Sequence, residues 1–313
     1  MFEFRKLLPG FALMLSAACA SQPLHAQTQM KSDKVPVTTV VTVLGPNFTA
    51  PPALGKADVV VHTGNQREDV TEWAPAQGEK AALELAILID DGADINNQVA
   101  DLRSFIQQMP KSTSVGLFYS QNGITQTVAP FSADHDAVAK KVRLTVGAEG
   151  TSMSLYIALG DIFSKWRASG ARREVLLIGD GIDRFRGDPD SPDVSGSIDR
   201  AQKAGIIIHT LYAKDSDRAS RNSFRTNWGQ SNFAQITDAT GGESFFQGLS
   251  TPISFSPFLE QLDMVLHNQY FLTFTTARSS NKKGQLRNFH VNTEQRNVEI
   301  SAERQVLVPG PAQ

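Results

Sequence analysis

Asp90-Asp91-Gly92-Ala93-Asp94 and Gly179-Asp180-Gly181 each close a run of apolar residues, Leu83 to Ile89 in the first case and Val175 to Ile178 in the second. In an open parallel sheet, ligands bind in the crevice outside the carboxyl ends of the strands, so acids from two such tips would face one another there. Oxygen ligands of this kind suit a hard cation, Mg or Ca. Asp90, Asp94 and Asp180 gathered at one edge would also repel each other unless a cation or protons compensated. The plainer reading is that they cap helices and accept loop amides. Asp91 is expected to turn away from the cluster, because Asp90 holds the strand tip.

Other groups of chemical interest are weaker. Asp188-Pro189-Asp190-Ser191-Pro192-Asp193 lacks the glycine and terminal glutamate of a calcium-binding helical loop. Its two prolines read as a stiff, solvated loop beside the site. No Gly-x-Ser-x-Gly elbow, His-Glu-x-x-His helix or phosphate-binding loop occurs, and Gly179-Asp180-Gly181 is too short for a dinucleotide fingerprint. Asp90 as a phosphoryl-transfer nucleophile would want an aspartate two residues on, where Gly92 stands. His209 lies in an apolar run and reads as a core residue. The aromatic residues Phe224, Trp228, Phe233, Phe245, Phe246, Phe255 and Phe258 are expected to pack the core, with an exposed docking surface as the alternative.

The elements that must position the acids alternate in type. Val37 to Val43 reads as a strand, and Ala57 to His62 with Asp69 to Trp73 reads as a hairpin. From Leu83 the pattern becomes strands and helices in turn. A helix capped by Asp94 carries Ile95, Val99, Leu102 and Ile106 and stops at Pro110. Ser114 to Tyr119 and Ile124 to Val128 flank the turn at Asn122-Gly123, and a short helix spans 137 to 144. Leu155, Leu159, Ile162, Phe163 and Trp166 form one helical stripe ended by Gly170. Val175 to Ile178 and Ile206 to Tyr212, apolar throughout, read as strands buried on both faces with a helix about 195 to 204 between them. A weaker helix carries Phe233 and Ile236, and a clearer one starts with Ser256 as cap and Pro257 first. β character returns in Tyr270 to Thr276, Asn288 to Asn292 and Val298 to Ser301. The expected fold class is α/β: a doubly wound, mostly parallel sheet with a small β unit built from both chain ends.

The chain has 313 residues, a formal charge of -2 and one cysteine. Acids and bases are interspersed, so nucleic acid has no basic footprint to bind. Arg5 and Lys6 precede an apolar stretch to Ala20 that is too short for a membrane span and reads as a secretory signal, cut after Ala26 or after Ala20. A secreted or periplasmic protein without a thiol follows, held together by its core. Ser16-Ala17-Ala18-Cys19 also reads as a loose lipobox, which would make Cys19 a lipid-bearing start in the cell envelope. The division is then 1–26 signal, 27–80 linker and N-terminal β segment, 81–268 α/β domain, and 269–313 C-terminal β segment.

Ile87-Leu88-Ile89-Asp90-Asp91-Gly92-Ala93-Asp94, Glu149-Gly150-Thr151 and Leu177-Ile178-Gly179-Asp180-Gly181 resemble, in this order, the three loops of a von Willebrand factor type A domain. Asp180-Gly181-Ile182-Asp183-Arg184 with Asn227-Trp228-Gly229-Gln230 and Thr240-Gly241-Gly242-Glu243 resembles the related secreted bacterial proteins abundant in Acidobacteria. The resemblance spans nearly the whole chain after the signal. It implies a metal-ion-dependent adhesion site, with Asp90, Asp94, Thr151 and Asp180 as ligands of Mg or Ca. The site is degenerate, because Gly92 and Asp94 stand where that pattern has hydroxyl residues. It implies a non-enzymatic binding module that recognises a protein partner at the acidic edge of the sheet. Two alternatives remain open: a metal-dependent hydrolase using Asp90 and Asp180, and an envelope lipoprotein acting as a scaffold without metal.

Overall fold

The computed structural model describes residues 33–146, 154–166, 169–183, 192–215 and 223–311. Its centre is a six-stranded sheet in the order β6-β5-β4-β7-β8-β9: β4 (Leu83–Asp90), β5 (Thr113–Gln121), β6 (Ile124–Ser132), β7 (Arg172–Gly179), β8 (Ile206–Tyr212) and β9 (Ser244–Phe245). All neighbours run parallel except β5 and β6. Every residue of β8 is buried, as are all but one of β4 and of β7, which is what helices on both faces demand. Asn122 and Gly123, both at positive φ, make the tight turn between β5 and β6.

One face carries α1 (Val99–Gln108), α2 (His135–Ala139) and α6 (Ser256–His267), which pack Leu102, Phe105, Ile106, Val138, Leu259 and Leu262 on Leu85, Ile87 and Ile89. The other carries α3 (Leu155–Lys165), α4 (Pro192–Ala204) and α5 (Ser223–Thr240), which set Leu155, Leu159, Ala201, Phe233 and Ile236 on Ala86, Leu88, Val175 and Leu177. Among the seven aromatic residues expected inside, Phe233, Phe245 and Phe255 are buried and Phe258 packs against the core, whereas Phe224 and Phe246 are exposed.

A second sheet joins the chain ends in the order β12-β1-β10-β3-β2-β11-β13: β1 (Lys34–Leu44), β2 (Val59–Thr63), β3 (Gln66–Pro75), β10 (Gln269–Ala277), β11 (Gln285–Thr293), β12 (Glu299–Ser301) and β13 (Gln305–Val308). It coils around Val37, Val41, Val61, Leu272, Phe274, Val291 and Val308, with β13 brought against β1. The expected fold class is therefore present, with strands from both ends interleaved in one sheet.

A buried polar seam ties the two sheets together. Arg172 donates to the side chain of Gln269 and to the carbonyls of Leu266, at 3.0 Å, and Ala81, at 3.3 Å. Gln269 donates to Glu174 at 3.1 Å, and His209 Nε2 lies 2.8 Å from the same carboxylate. The Glu243 amide donates to His209 Nδ1 at 3.0 Å, which leaves the proton on Nε2 facing Glu174. His209 is thus the satisfied core residue anticipated for it.

Three local expectations need correction. The first helix starts at Val99, not at an Asp94 cap; the Asp94 amide instead donates to the Lys214 carbonyl at 2.8 Å. Ser256 is the first residue of α6 rather than its cap. Asp101 of α1 accepts from the Phe255 amide at 2.7 Å and the Ser254 hydroxyl at 2.8 Å, so a carboxylate from a neighbouring helix serves that end. The helix expected over 137–144 is only α2, because the chain after Ala139 climbs back along the sheet towards Asp91.

Candidate functional site

The sheet winds outward in both directions from the β4 and β7 pair, to β5 on one side and β8 on the other. A crevice opens at such a switch point, beyond the carboxyl ends of the strands. Ile89 lies opposite Ile178, which puts Asp90 level with Gly179 and Asp180 one residue beyond. A Cβ on Gly179 would stand 3.0 Å from that of Asp90, so the two tips are in close contact. The strand ends that carry Asp90 and Asp180 thus lie side by side, and both residues are almost fully buried.

Each is held by its own turn. Asp90 Oδ1 accepts from the Gly92 amide and Asp180 Oδ1 from the Ile182 amide, both at 3.0 Å. The Tyr156 hydroxyl donates to the Gly181 carbonyl at 2.8 Å, and the Asn232 side chain donates to the same oxygen at 3.0 Å. Burial pushes the Tyr156 phenol far above its ordinary range, and the Asp180 and Asp183 charges add to the effect. Tyr156 is therefore a fixed donor that braces the turn.

Asp91 points elsewhere, as expected. Its carboxylate takes both arms of Arg143, at 2.7 and 2.9 Å, and the Val146 amide at 3.0 Å. The Arg143 guanidinium lies 4.0 Å from the centre of the Tyr119 ring, a cation–π contact, and hydrogen bonding from Asp91 raises its pKa against the opposing effect of burial. Sequence reasoning missed Arg143, Tyr156 and Asn232, which sit in no motif. Asp94 is exposed, and Asp215 joins the rim through a bridge to Ala93. Thr151, with Glu149 and Gly150, and most of the Asp188 to Asp193 loop lie outside the described residues.

Of the four ligands the resemblance implies, Asp90, Asp94 and Asp180 are described and Thr151 is not. Gly92 offers no side chain, Asp91 is committed to Arg143, and one oxygen each of Asp90 and Asp180 is spent on a loop amide. Among the described residues no three Asp, Glu, His or Cys side chains group as ligands of an ion.

The same rim is where the apolar surface lies. Ile124, Leu144, Val146, Phe224, Phe246, Leu249 and Ile253 are the large hydrophobic side chains exposed among the described residues. Ile124 opens β6 beside the β5 tip, and Leu144 and Val146 lie in the segment reaching Asp91. Phe224 starts α5, whose Gly229 packs on Asp180, and Phe246, Leu249 and Ile253 lie between β9 and the start of α6. All seven therefore belong to the carboxyl end of the six-stranded sheet. The second sheet docks at the opposite end, through Arg172, Gln269 and Leu266.

No protein-family model and no curated protein matches the chain. Among solved structures it is similar to an aerotolerance-related membrane protein from Bacteroides fragilis, at 12% identity and TM-score 0.41, over 59% of this chain and 98% of that one. It is similar to BatB from Bacteroides thetaiotaomicron at 11% identity and TM-score 0.40, over 59% and 98% of the two chains. A manganese-loaded TRAP protein from Plasmodium vivax gives 10% identity and TM-score 0.41 over 79% and 98%. Likeness at this level carries no statement about function.

Proposed function

We propose that the chain is a secreted, non-enzymatic binding module that recognises a protein partner through the carboxyl-end rim of its six-stranded sheet. The observation behind this reading is the gathering of every exposed large hydrophobic residue described, seven of them, on the rim that also carries the convergent aspartates. Single exposed apolar residues are ordinary on any surface, but a set confined to one end of a domain marks an interaction site. The resemblance to von Willebrand factor type A domains implies the same edge. Among the described rim residues Asp90 and Asp180 each accept a loop amide, and Asp91 is paired with Arg143. The secretion reading is supported by the basic start and the apolar stretch to Ala20.

The test is capture from the secreted and envelope fractions, with the protein purified from its own host as bait. Wild type, a rim variant with Leu144→Ser, Val146→Ser and Ile253→Ser, and a control variant Lys282→Ala are compared. Proteins held by wild type and control and lost by the rim variant are expected; capture indifferent to the rim variant removes the proposal. Intact mass of the same preparation distinguishes a start at Gln27 from an acylated Cys19.

A further inference from the structure

We propose that β6, the open edge of the six-stranded sheet, pairs antiparallel with β6 of a second copy of the chain about a two-fold axis at Gln126, joining the two sheets edge to edge. This contact is separate from the recognition reading above, which keeps the other exposed hydrophobic residues of the rim, and either can fail without the other.

The edge is bare along one half only. β5 is the neighbour of β6 in the sheet, and β6, Ile-Thr-Gln-Thr-Val-Ala-Pro-Phe-Ser, has no charged residue. Natural edge strands are shielded by lysine, proline, bulges or covering elements. Here those devices sit in the second half. Val128 is an extra residue where the register shifts between the pairs Phe118–Thr127 and Leu117–Ala129, the Lys141 amine donates to its carbonyl at 3.3 Å, and Pro130 follows. Among the described residues no such device covers Ile124 to Thr127. Ile124 heads that stretch at 67% exposed, and Gln126 and Thr127 are exposed with it.

The turn fixes which backbone groups this half offers. Asn122 and Gly123 make a two-residue turn, so Gln121 and Ile124 close it as a hydrogen-bonded pair, and Tyr119 with Gln126 is the next such pair. The N–H and C=O of Thr125 and Thr127 therefore point outward, away from β5. The side chains select the occupant. Ile124-Thr125-Gln126-Thr127-Val128 is a chemical palindrome: a β-branched apolar residue, threonine, glutamine, threonine and a β-branched apolar residue again. With Gln126 opposite Gln126 of an antiparallel copy, each Thr125 meets Thr127 of that copy, and their outward groups bond one another without remainder. The same register lays Ile124 against Val128 of the copy, apolar on apolar, and a two-fold axis makes both halves of the contact identical. The Thr125 hydroxyl lies on the opposite face, donating to the Ala158 carbonyl of α3 at 2.8 Å. An axis at Thr125 would set Ile124 against Gln126, and one at Thr127 would set it against Pro130. With no charge on the stretch, two copies meet without opposing like charges across the strands.

The test is sedimentation equilibrium of the protein purified from its own host, over its whole soluble concentration range. Wild type is expected to pass from one-chain to two-chain mass. Gln126→Lys and Gln126→Glu each place like charges face to face at the axis and should weaken association by about tenfold or more, and an equal mixture of the two should restore it. Gln126 is exposed, so both variants keep the fold, and recovery in the mixture demonstrates it. Mild oxidation then checks the register. Residues opposite one another in a non-hydrogen-bonded pair have Cα atoms about 4.5 Å apart, within disulfide reach, so Gln126→Cys should link into pairs. Wild type, and Thr127→Cys, which faces Thr125, should stay single. A wild type of one-chain mass throughout, association indifferent to the charge variants, a mixture that stays single, or Thr127→Cys linking as readily as Gln126→Cys would overturn the proposal.

Discussion

Glu303 shows what the fold does to a single side chain. It lies in the connection from β12 to β13, 9% exposed, with the Thr39 hydroxyl donating to it at 2.7 Å and cavities of 400 and 210 Å³ on either side. Burial pushes its carboxyl from 4.5 up to about 7, against the lowering effect of Thr39. The folded chain thus keeps this proton where the unfolded chain has released it. The sign follows: the contribution is fully present below pH 4.5 and is lost as pH rises through about 7. The difference amounts to about 3 kcal/mol. Glu303→Gln should therefore match wild type near pH 4.5 and exceed it above pH 7 by that amount, measured by urea unfolding across the range. A variant weaker than wild type at high pH would show that Glu303 is ionised at no cost. Glu243, also raised by burial, leaves a residual slope of the same sign in the variant.

At the scale of elements, α5 against the β7 tip is the joint on which the rim depends. Gly229 and Gly181 let the two backbones touch: a Cβ on Gly229 would lie inside the Asp180 carbonyl oxygen, and one on Gly181 inside the Gly229 carbonyl oxygen. Gly181 also has φ 72°, outside the reach of most L residues. Gly229→Ala must push helix and turn apart and move Asp180. A loss of about 3 kcal/mol is expected from such overpacking, read by urea denaturation, together with changed amide shifts at Asp180 and Ile182. A variant as stable as wild type would show that the joint is loose. This helix also explains why its sequence signal is faint. Its buried stripe is Thr226, Gly229, Asn232, Phe233, Ile236, Thr237 and Thr240, which keeps the helical period while using polar and small residues. Periodicity of hydrophobicity sees only Phe233 and Ile236 in it.

At the scale of the whole molecule, the polar seam joins the two sheets. α6 leads into β10, and Arg172 and Glu174 of the α/β sheet bond Gln269 of the other sheet, whose side chain also reaches Thr42. A hydrogen bond to a buried charged group contributes about 1.5–3 kcal/mol, and Gln269 makes one with each member of the Arg172–Glu174 pair. A fragment of residues 81–268 lacks Gln269 and would expose that seam. It is expected to unfold without a cooperative transition, whereas residues 27–313 melt in one step by calorimetry. A cooperative fragment would show the two parts to be separable.

By themselves the residues determined the parallel core, because strands buried on both faces must be apolar throughout, as at β4, β7 and β8. They also determined the meeting of Asp90 and Asp180, since adjacent strand ends leave their next residues side by side. Short elements such as β9 and β13 left no period long enough to read. The pairing of Asp91 with Arg143, the bracing of Gly181 by Tyr156 and Asn232, and the gathering of Leu144, Val146 and Ile253 on one rim were decided only in three dimensions. Each joins segments tens of residues apart through side chains with no fixed spacing. A hydrophobic residue in a loop looks the same in sequence whether it folds inward or stands exposed; packing alone settles which.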